Sequence, residues 1–378
     1  MKVAIVHYWL VTMRGGEKVV EELCRMYPQA DIFTLVCDHE KLSPLLRSKK
    51  IVTSFLQRIP GARKHYQKML PLMPFALEAF DLQAYDLVIS SESGPAKAIV
   101  ARPDALHVCY CHSPMRYIWD HYQVYRRDLG RIGKFVMSVA APPLRVWDVT
   151  TAARVDAFVA NSAHVARRIH RVYNRDATVI YPPVAVDDFQ PVAERGDFYL
   201  CAGQLVAYKR VDIAVRAFTE MGKRLVVIGE GAQMAELKKI AGPTIEFLGF
   251  QAFSVLKDRL ARCRALIFPG EEDFGILPVE AMASGRPVIA FDSGGARETV
   301  TSPRFGVMFP EQTSASLVEA VTRFEKLEST FDPAEIRRHA EGYSAALFQK
   351  RMRRFIEDRL EERRTSRTAP VRAPALSA

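Results

Sequence analysis

Short apolar runs rich in Val and Ile alternate with stretches of helical periodicity along the whole chain. This alternation is typical of parallel sheets whose faces are covered by helices. The predicted strands of the first half are KVAIVHYWL, DIFTLVC, YDLVISS, ALHVCYC, DAFVANS and TVIYPPV. Those of the second half are FYLCAGQL, RLVVIGEG, IEFLGF, RALIFPG, RPVIAF and GVMFP. The pattern therefore predicts an α/β protein made of two doubly wound halves.

The segment around residues 190–196 is rich in proline, acidic residues and turn formers, which is typical of a domain boundary. We therefore expect an N-terminal domain at residues 1–192 and a C-terminal domain at residues 193–364. Beyond Pro333 a helical pattern rich in Arg and Lys continues to about Arg364, and it predicts one long helix bridging the two halves. Residues 365–378 are predicted to be disordered because they carry few large apolar side chains.

The segment PGEEDFGILPVEAMASG joins the end of a buried strand to a helix predicted to begin near Ile276 and to end at Gly285. The first backbone N–H groups of such a helix lack intrahelical partners and favour a phosphate. They belong to Phe274, Gly275, Ile276 and Leu277. Glu272 precedes them and can accept hydrogen bonds from a sugar, while Glu280 can bind ribose hydroxyls. Both glutamates could equally serve only to stabilise the helix dipole.

The segment GQLVAYKR places Gly203 at a strand end and Lys209 at the start of the next helix. A lysine there can neutralise a diphosphate as negative charge develops on it. The fragment VVIGEG, which contains Gly229, is weaker because the full dinucleotide fingerprint is missing. It leaves open an oxidoreductase or epimerase that holds NAD.

Two features of the first half also suggest a ligand site. Gly15 and Gly16 lie between the first strand and a helix, where backbone amides could approach a phosphate or sugar, although a tight turn would explain them equally well. His112 follows the apolar strand ALHVCYC, at the edge where α/β sheets bind ligands. Arg116 and Tyr117 follow it and are candidate neighbours of an acceptor.

Several of these motifs together resemble retaining GT-B glycosyltransferases of glycosyltransferase family 4. The resemblance rests on EDFGILPVEAMASGRPVIAFDSGGARE, CAGQLVAYKRVDIAVRAF, VVIGEGAQMAEL, RGGEKVVEEL and CYCHSPMRYIWD, and it covers residues 2–364. It implies two facing Rossmann-like domains with a cleft for donor and acceptor, and glycines 15 and 16 on the acceptor side. It also implies that His112 binds the transferred sugar.

The chain departs from the family at Gln204, where the family usually has an arginine that pairs with the lysine. Arg210 could supply the missing charge, and both residues are expected near the donor. Asp-x-Asp is absent from the sequence, and no cluster of His, Cys, Asp and Glu has the spacing of metal ligands. We therefore expect neither a metal nor another cofactor, with the nucleotide sugar as co-substrate.

Most of the formal net charge of +10 falls in the first half. Basic residues between Arg58 and Lys68 precede apolar ones between Leu70 and Phe80, a sequence that could seat this half on an anionic membrane or simply form a helical hairpin. Nucleic-acid binding is not expected, because no recognition module accompanies the basic residues. The six cysteines are predicted to be buried free thiols, and a cytoplasmic location is expected, with peripheral contact at the inner face of the membrane.

The resemblance implies transfer with retention, by front-face attack in which the leaving phosphate oxygen takes the acceptor's proton. His112, Lys209 and Glu272 are the expected catalytic residues of a metal-independent hexosyltransferase. Similarity to bacterial mannosyltransferases of surface polysaccharide synthesis favours GDP-mannose as donor, with a polyprenyl-diphosphate-linked or oligosaccharide acceptor. The alternatives are an NAD-dependent nucleotide-sugar epimerase or oxidoreductase, and a catalytically inactive GT-B sugar-binding protein.

Overall fold

A computed structural model describes residues 1–127 and 129–368 of the chain. The chain divides into two compact units. The first takes in the described residues up to 161, residues 165–180 and residues 348–368, and the second takes in residues 162–164 and 181–347. The change of unit at Tyr181 comes earlier than the boundary expected at residues 190–196. The return of the chain to the first unit at Phe348 also differs from the expected domain of residues 193–364.

The two units follow the predicted alternation of strands and helices. Up to residue 180 the elements are β1 (Val3–His7), α1 (Gly15–Met26), β2 (Asp31–Thr34), α2 (Pro44–Arg47), β3 (Ile51–Thr53), α3 (Ala62–His65), α4 (Met73–Glu78), β4 (Leu87–Glu92), β5 (Leu106–Cys111), α5 (Tyr122–Arg127), α6 (Arg131–Thr151), β6 (Ala157–Ala160), α7 (Ala163–Tyr173) and β7 (Ala177–Val179). The remaining elements are β8 (Tyr199–Ala202), α8 (Val211–Met221), β9 (Leu225–Ile228), α9 (Met234–Ile240), β10 (Ile245–Gly249), α10 (Phe253–Arg262), β11 (Leu266–Phe268), α11 (Ile276–Ala283), β12 (Val288–Phe291), α12 (Ala296–Thr299), β13 (Gly306–Phe309), α13 (Ser314–Leu327), α14 (Pro333–Ala340) and α15 (Ala345–Thr368). Short 3-10 turns lie between some of them, at His39–Lys41, Phe55–Arg58, Tyr66–Leu72, Ala96–Ala98, Ala152–Arg154, Val186–Asp188, Ala207–Lys209, Glu328–Thr330 and Glu341–Tyr343.

The sheet of the first unit is parallel and has the strand order β3-β2-β1-β4-β5-β6-β7. Its central strands are buried on both faces: Ile5 joins one core cluster, and Ala4 and Val6 join another. Such two-sided burial explains why the strands read as continuous apolar runs. The sequence did not predict β3, a three-residue edge strand whose side chains are all half-buried.

The sheet of the second unit is also parallel, with the order β10-β9-β8-β11-β12-β13. Its six strands coincide with the six predicted ones. In both sheets the order reverses at one place, between β1 and β4 in the first and between β8 and β11 in the second. The carboxyl edge at such a reversal leaves a crevice between the flanking loops, where α/β sheets bind ligands. The fold class is therefore the predicted one, two Rossmann-like parallel sheets.

The single long helix predicted after Pro333 is wrong, because the helix ends at Ala340 and a new one begins at Ala345. The intervening turn is held by Tyr343, whose hydroxyl donates to the Glu298 carbonyl at 2.6 Å. The second helix packs Phe348, Met352, Phe355 and Ile356 into the core of the first unit. It continues to Thr368, so the predicted disordered tail begins too early, and residues 369–378 lie outside the described part of the chain.

The six cysteines are buried and unpaired, as predicted. In the described part of the chain, no helix has the length and apolar character needed to cross a bilayer.

Candidate functional site

Lys209 and Glu272 meet at the strand reversal of the second unit. Lys209 closes the 3-10 turn that follows β8, and Glu272 lies in the loop that follows β11. The Lys209 Nζ lies 2.8 Å from Glu272 Oε1, and both side chains keep about a fifth of their surface exposed. Because β8 and β11 are neighbours in the sheet, their carboxyl ends bring these two loops together. The structure thus places the predicted cation beside the predicted sugar-binding carboxylate.

The lysine stays charged in this setting. Burial disfavours its ammonium form, but the Glu272 carboxylate more than offsets this effect, so the pKa of Lys209 is raised above its ordinary value. A charged lysine held in a partly dry site is suited to neutralise an incoming anion. A donor diphosphate could share or replace Glu272 as its partner.

Glycines that were not among the predicted site residues hold the Glu272 loop in place. A Cβ on Gly270 would lie 2.8 Å from Lys209 Cα, and a Cβ on Gly294 would lie 2.4 Å from the Glu272 carbonyl oxygen. The backbone N–H of Gly295 donates to that same carbonyl at 2.8 Å. The signal was present as a glycine pair two residues after the strand RPVIAF, in a loop where close backbone contact is common.

Gly203 and Gly229 were both predicted to bind the donor, and the structure brings them together. Both have left-handed backbone φ, +133° and +138°, and a Cβ on Gly229 would lie only 1.8 Å from the Gly203 carbonyl oxygen. Gly229 is thus required by the packing of one loop on another. Gly203 lies beneath Lys209, since a Cβ there would approach Lys209 Nζ to 3.2 Å.

The guanidinium of Arg210 is engaged with its own helix. It donates to both carboxylate oxygens of Asp212, at 3.0 and 3.2 Å, and to Gln312 Oε1 at 3.3 Å. Gln312 in turn donates to the Pro269 carbonyl at 3.0 Å, so the set ties the start of α8 to the end of β11. Arg210 would have to leave Asp212 to reach a phosphate. The backbone carbonyl of the neighbouring Gln204 accepts from Val206 N–H in the same loop.

The helix predicted near Ile276 begins at that residue and ends before Gly285, which has a φ of +71°. Gly275 precedes it with a φ of +85°, and Phe274 is buried against the rings of Tyr181 and Tyr343. Ile276 and Leu277 are half-buried in the first turn. Glu280 lies one turn further along and is only 6% exposed. The helix start is thus present as predicted, while its role toward phosphate remains a prediction.

In the first unit, His112 follows β5 at the same kind of edge and belongs to a chain of polar side chains. The Ser91 hydroxyl lies 2.9 Å from His112 Nε2 and 3.1 Å from His7 Nδ1. His7 and Ser91 are direct neighbours across β1 and β4, where the strand order reverses. A Cβ on Gly16 would lie 3.4 Å from His7 Cε1 and 3.7 Å from His112 Nε2. The predicted glycine and histidine therefore share one site, and His7 and Ser91 are new to it.

The hydrogen bonds of His7 fix its tautomer. Its Nδ1 lies 3.2 Å from the Ser91 carbonyl oxygen, which can only accept, so Nδ1 carries the hydrogen. Burial and then the charge of His112 lower the pKa of His7 to about 3. His7 is therefore neutral near pH 7, and its buried Nε2 has no hydrogen-bond partner among the described residues. The Ser91 hydroxyl can accept from His7 and donate to His112, which orients the second ring.

Other predicted residues of this half lie around that site. Gly15 opens α1, where the Glu17 carboxylate accepts from the Arg14 N–H at 3.0 Å. Arg116 is half-buried. The Tyr117 hydroxyl is buried and lacks a hydrogen-bond partner among the described residues, and its place beside an acceptor stays a prediction.

Beneath the site lies a buried ionic cluster that the sequence did not reveal. Lys97 pairs with Asp148, and its Nζ lies 3.5 Å from Glu92 Oε1. All three side chains are fully buried. Burial and the charge of Asp148 raise the pKa of Glu92 to about 7 although Lys97 acts in the opposite direction. Because Glu92 follows Ser91 and its carbonyl accepts from His112 N–H at 2.6 Å, the cluster supports the histidine site from below.

The buried neutral state of His7 predicts a loss of stability in acid. Its unfolded-state pKa is 6.5 and its folded one about 3, so the unfolded chain binds more protons between these values. The contribution of neutral His7 to the free energy of unfolding is complete above pH 6.5. It falls on acidification, by up to about 1.4 kcal/mol per pH unit. We expect His7→Gln to flatten the dependence of unfolding free energy on pH by that amount, measured by urea titration from pH 5 to 7.5. His65→Gln, which removes an exposed imidazole, is the control, and an unchanged slope in His7→Gln would contradict the assignment.

In the described residues, no group of three or more His, Cys, Asp and Glu side chains is placed to hold a metal ion. The expectation of metal-independent chemistry remains a prediction.

Two protein families match the chain, one in each half. The family described as Glycosyltransferase Family 4 matches residues 13–188, and the family described as Glycosyl transferases group 1 matches residues 197–326. Together they take in most of the chain. The second match contains Lys209 and Glu272, and the first contains Ser91 and His112.

Similar proteins of known name include two mannosyltransferases. A GDP-mannose-dependent alpha-mannosyltransferase of Mycobacterium tuberculosis is 37% identical over 109 residues, which is 29% of each chain. The O-antigen chain mannosyltransferase RfbU of Salmonella typhimurium is 26% identical over 184 residues, 43% of this chain and 52% of that one. The matches thus span about half or less of the length of these relatives.

The fold is shared with a solved structure of Anabaena Alr3699/HepE in complex with UDP. The TM-score is 0.71 at 16% identity, covering 95% of this chain and all of the other. Both family matches and the two parallel Rossmann-like sheets lead to the same conclusion, and the pair of Lys209 and Glu272 lies at a strand reversal of that fold. The chain belongs to the GT-B glycosyltransferases of family 4.

Proposed function

We propose that this protein is a retaining hexosyltransferase that transfers mannose from GDP-mannose to a lipid-linked or saccharide acceptor. The observation that carries the proposal is the contact of 2.8 Å between Lys209 and Glu272 at the strand reversal of the second unit. A cation and a carboxylate side by side suit two adjoining parts of a nucleotide sugar, the diphosphate and the sugar hydroxyls. The names of the mannosyltransferase relatives support mannose and GDP, and RfbU supports a role in surface polysaccharide synthesis.

In this proposal the bond between the sugar's anomeric carbon and the leaving phosphate oxygen breaks while the acceptor oxygen bonds to the same face. The acceptor's proton passes to the leaving phosphate oxygen, so the products are the glycoside and the nucleoside diphosphate. Lys209 stabilises the charge on that diphosphate, together with the N-terminal amides of α11. Because Arg210 is held by Asp212 and Gln312, Lys209 has the main electrostatic role.

Glu272 orients the sugar by accepting hydrogen bonds and forms no covalent bond to it. His112, steadied by Ser91, is the candidate sugar-binding residue of the first unit. The reaction needs no divalent ion. We also propose a cytoplasmic protein in peripheral contact with the membrane, where a polyprenyl-diphosphate-linked acceptor would be found.

A ligand-binding experiment tests the donor without knowledge of the acceptor. The melting temperature is measured with GDP, GDP-mannose, UDP, UDP-glucose and NAD, each with and without EDTA. We expect GDP-mannose and GDP to raise the melting temperature, with or without EDTA, and Lys209→Ala to weaken the shift. Release of GDP in the presence of acceptor, with the anomeric configuration of the product followed by NMR, then tests transfer and retention.

Each rival predicts another result in the same experiment. A shift with NAD and none with nucleotide sugars would replace the proposal by an oxidoreductase or epimerase. Binding of GDP-mannose without turnover on any saccharide or lipid-linked acceptor would indicate an inactive sugar-binding protein. A rise in melting temperature with UDP-glucose alone would indicate a transferase that uses UDP-glucose as its donor.

A further inference from the structure

The outer side of α6 carries apolar side chains along most of its length. Ile132 is 82% exposed and Phe135 is 70% exposed, and three valines further along are exposed as well, at positions 136, 139 and 146. Their spacing of three, four and seven residues places them on one face of the helix. We call these five residues the α6 apolar face. A continuous exposed apolar surface of this kind marks a site of interaction.

The opposite side of α6 is fixed to the first unit, so the apolar face cannot turn inward. Leu144 packs against Met115 and Ile118. Asp148 is fully buried, pairs with Lys97 and accepts from Trp119 Nε1 at 2.7 Å. Rotation of α6 would break this buried ion pair, which is costly. The exposure of the apolar face is therefore imposed by the fold.

Basic residues border the apolar face at its N-terminal end. Residues 121–151 contain five Lys or Arg against two Asp. One of the two aspartates is the buried Asp148, and the other, Asp128, lies outside the described residues. Arg127 and Arg131 are exposed, and Lys134 is half-buried. Among the described residues of this segment, the charge that borders the apolar face is therefore positive.

The basic segment noted in the sequence is a neighbour of α6. Its turn Tyr66–Leu72 packs Leu70 against the cluster that contains Leu144 of α6. Lys64 and Lys68 on this segment are exposed. Of the apolar residues predicted there, Leu77 and Phe80 are buried, whereas Leu72 is 42% and Phe75 is 69% exposed. This segment therefore adds both charge and apolar surface beside α6.

We propose that the α6 apolar face docks the protein on an anionic phospholipid bilayer. Ile132 and Phe135 insert among the acyl chains, while Arg127 and Arg131 contact lipid phosphates. From Ile132 to Val146 the face is about 21 Å long, which suits a helix lying in the plane of the interface. A second copy of the chain fits less well, because an interface on this face would bring like charges together. The inference rests on the proposed membrane contact and places it on α6, and it does not depend on the sugar that the protein transfers.

Vesicle binding tests the proposal with the full chain. We expect co-sedimentation with vesicles of phosphatidylcholine and phosphatidylglycerol in a 3:1 ratio, and little with phosphatidylcholine alone. Ile132→Ser with Phe135→Ser should reduce the partition coefficient at least tenfold, since each removes a large apolar group from the membrane. Phe250→Ser is the matched control, because Phe250 is 76% exposed in the second unit. Arg131→Gln should weaken binding about fivefold and reduce its dependence on salt.

A second readout follows insertion directly. In Phe135→Trp we expect the fluorescence to shift to the blue with anionic vesicles and to be quenched by brominated acyl chains. Binding that survives Ile132→Ser with Phe135→Ser, or that falls equally in Phe250→Ser, would overturn the proposal. So would equal binding to neutral vesicles. A dimer in solution that dissociates on Ile132→Ser would show that a second copy of the chain, and not a membrane, covers the α6 apolar face. Transfer to a soluble acceptor should be unchanged in every variant.

Discussion

Replacing Lys209 by alanine is expected to lower the rate of sugar transfer by about a hundredfold to a thousandfold. The reason is the position of its ammonium group, 2.8 Å from the sugar-binding candidate Glu272 at the strand reversal, whereas the guanidinium of Arg210 is held by Asp212 within its own helix. The effect should appear in kcat, because the charge on the leaving diphosphate increases in the transition state. Turnover is measured as release of the nucleoside diphosphate at saturating donor.

Glu272→Ala should reduce transfer to a similar extent for a different reason. It removes the acceptor of the sugar's hydrogen bonds and also frees the Lys209 ammonium from its partner. The two residues act on one ligand, so the double variant should lose less than the product of the single losses. Near-additive losses would show that the residues do not act together.

The control for both variants is Lys223→Ala. Lys223 forms an ion pair of the same length, 2.8 Å, with Glu325 in the same unit, and it is similarly exposed. Its loss should leave transfer unchanged and cost little stability. Full turnover in Lys209→Ala or Glu272→Ala, with the melting temperature of the parent, would refute the proposed site.

The sequence predicted the fold largely because the strands are buried on both faces and so stand out as apolar runs. All six strands of the second unit were found this way. The exception, β3, has half-buried side chains at a sheet edge and hence a weak signal. The break between α14 and α15 was missed because it is set by the contact of Tyr343 with Glu298, which are distant in sequence.

The residues of the candidate site could also be predicted only in part. Lys209 and Glu272 could be predicted, since each follows a recognisable strand within a known motif. His7 and Ser91 could not be assigned, because their pairing depends on the neighbourhood of β1 and β4, which the sequence does not state. The sequence also did not show that one apolar face of α6 is exposed. A helix with apolar residues on both sides gives no sign of which side the protein covers.

The buried cluster of Lys97, Asp148 and Glu92 predicts the largest loss of stability. Lys97→Met keeps much of the side chain's volume but leaves two carboxylates buried without their cation. The expected cost is about 3–5 kcal/mol in unfolding free energy. Urea titration followed by circular dichroism measures it. The matched control is Arg224→Met, which breaks the exposed pair with Asp197 and should cost less than about 1 kcal/mol.

The dependence on pH distinguishes an ionic effect from a simple packing defect. The pKa of Glu92 is already raised to about 7 by burial, and without Lys97 it rises further, because the cation that lowered it is gone. The stability contribution of Glu92 is present in acid and lost as pH rises, so the deficit of Lys97→Met should be larger at pH 8 than at pH 5. Adding Asp148→Asn and Glu92→Gln removes both charges and should recover part of the loss. A deficit that is equal at both pH values, and unchanged by the two neutral substitutions, would show that Lys97 contributes by packing and that its charge contributes nothing.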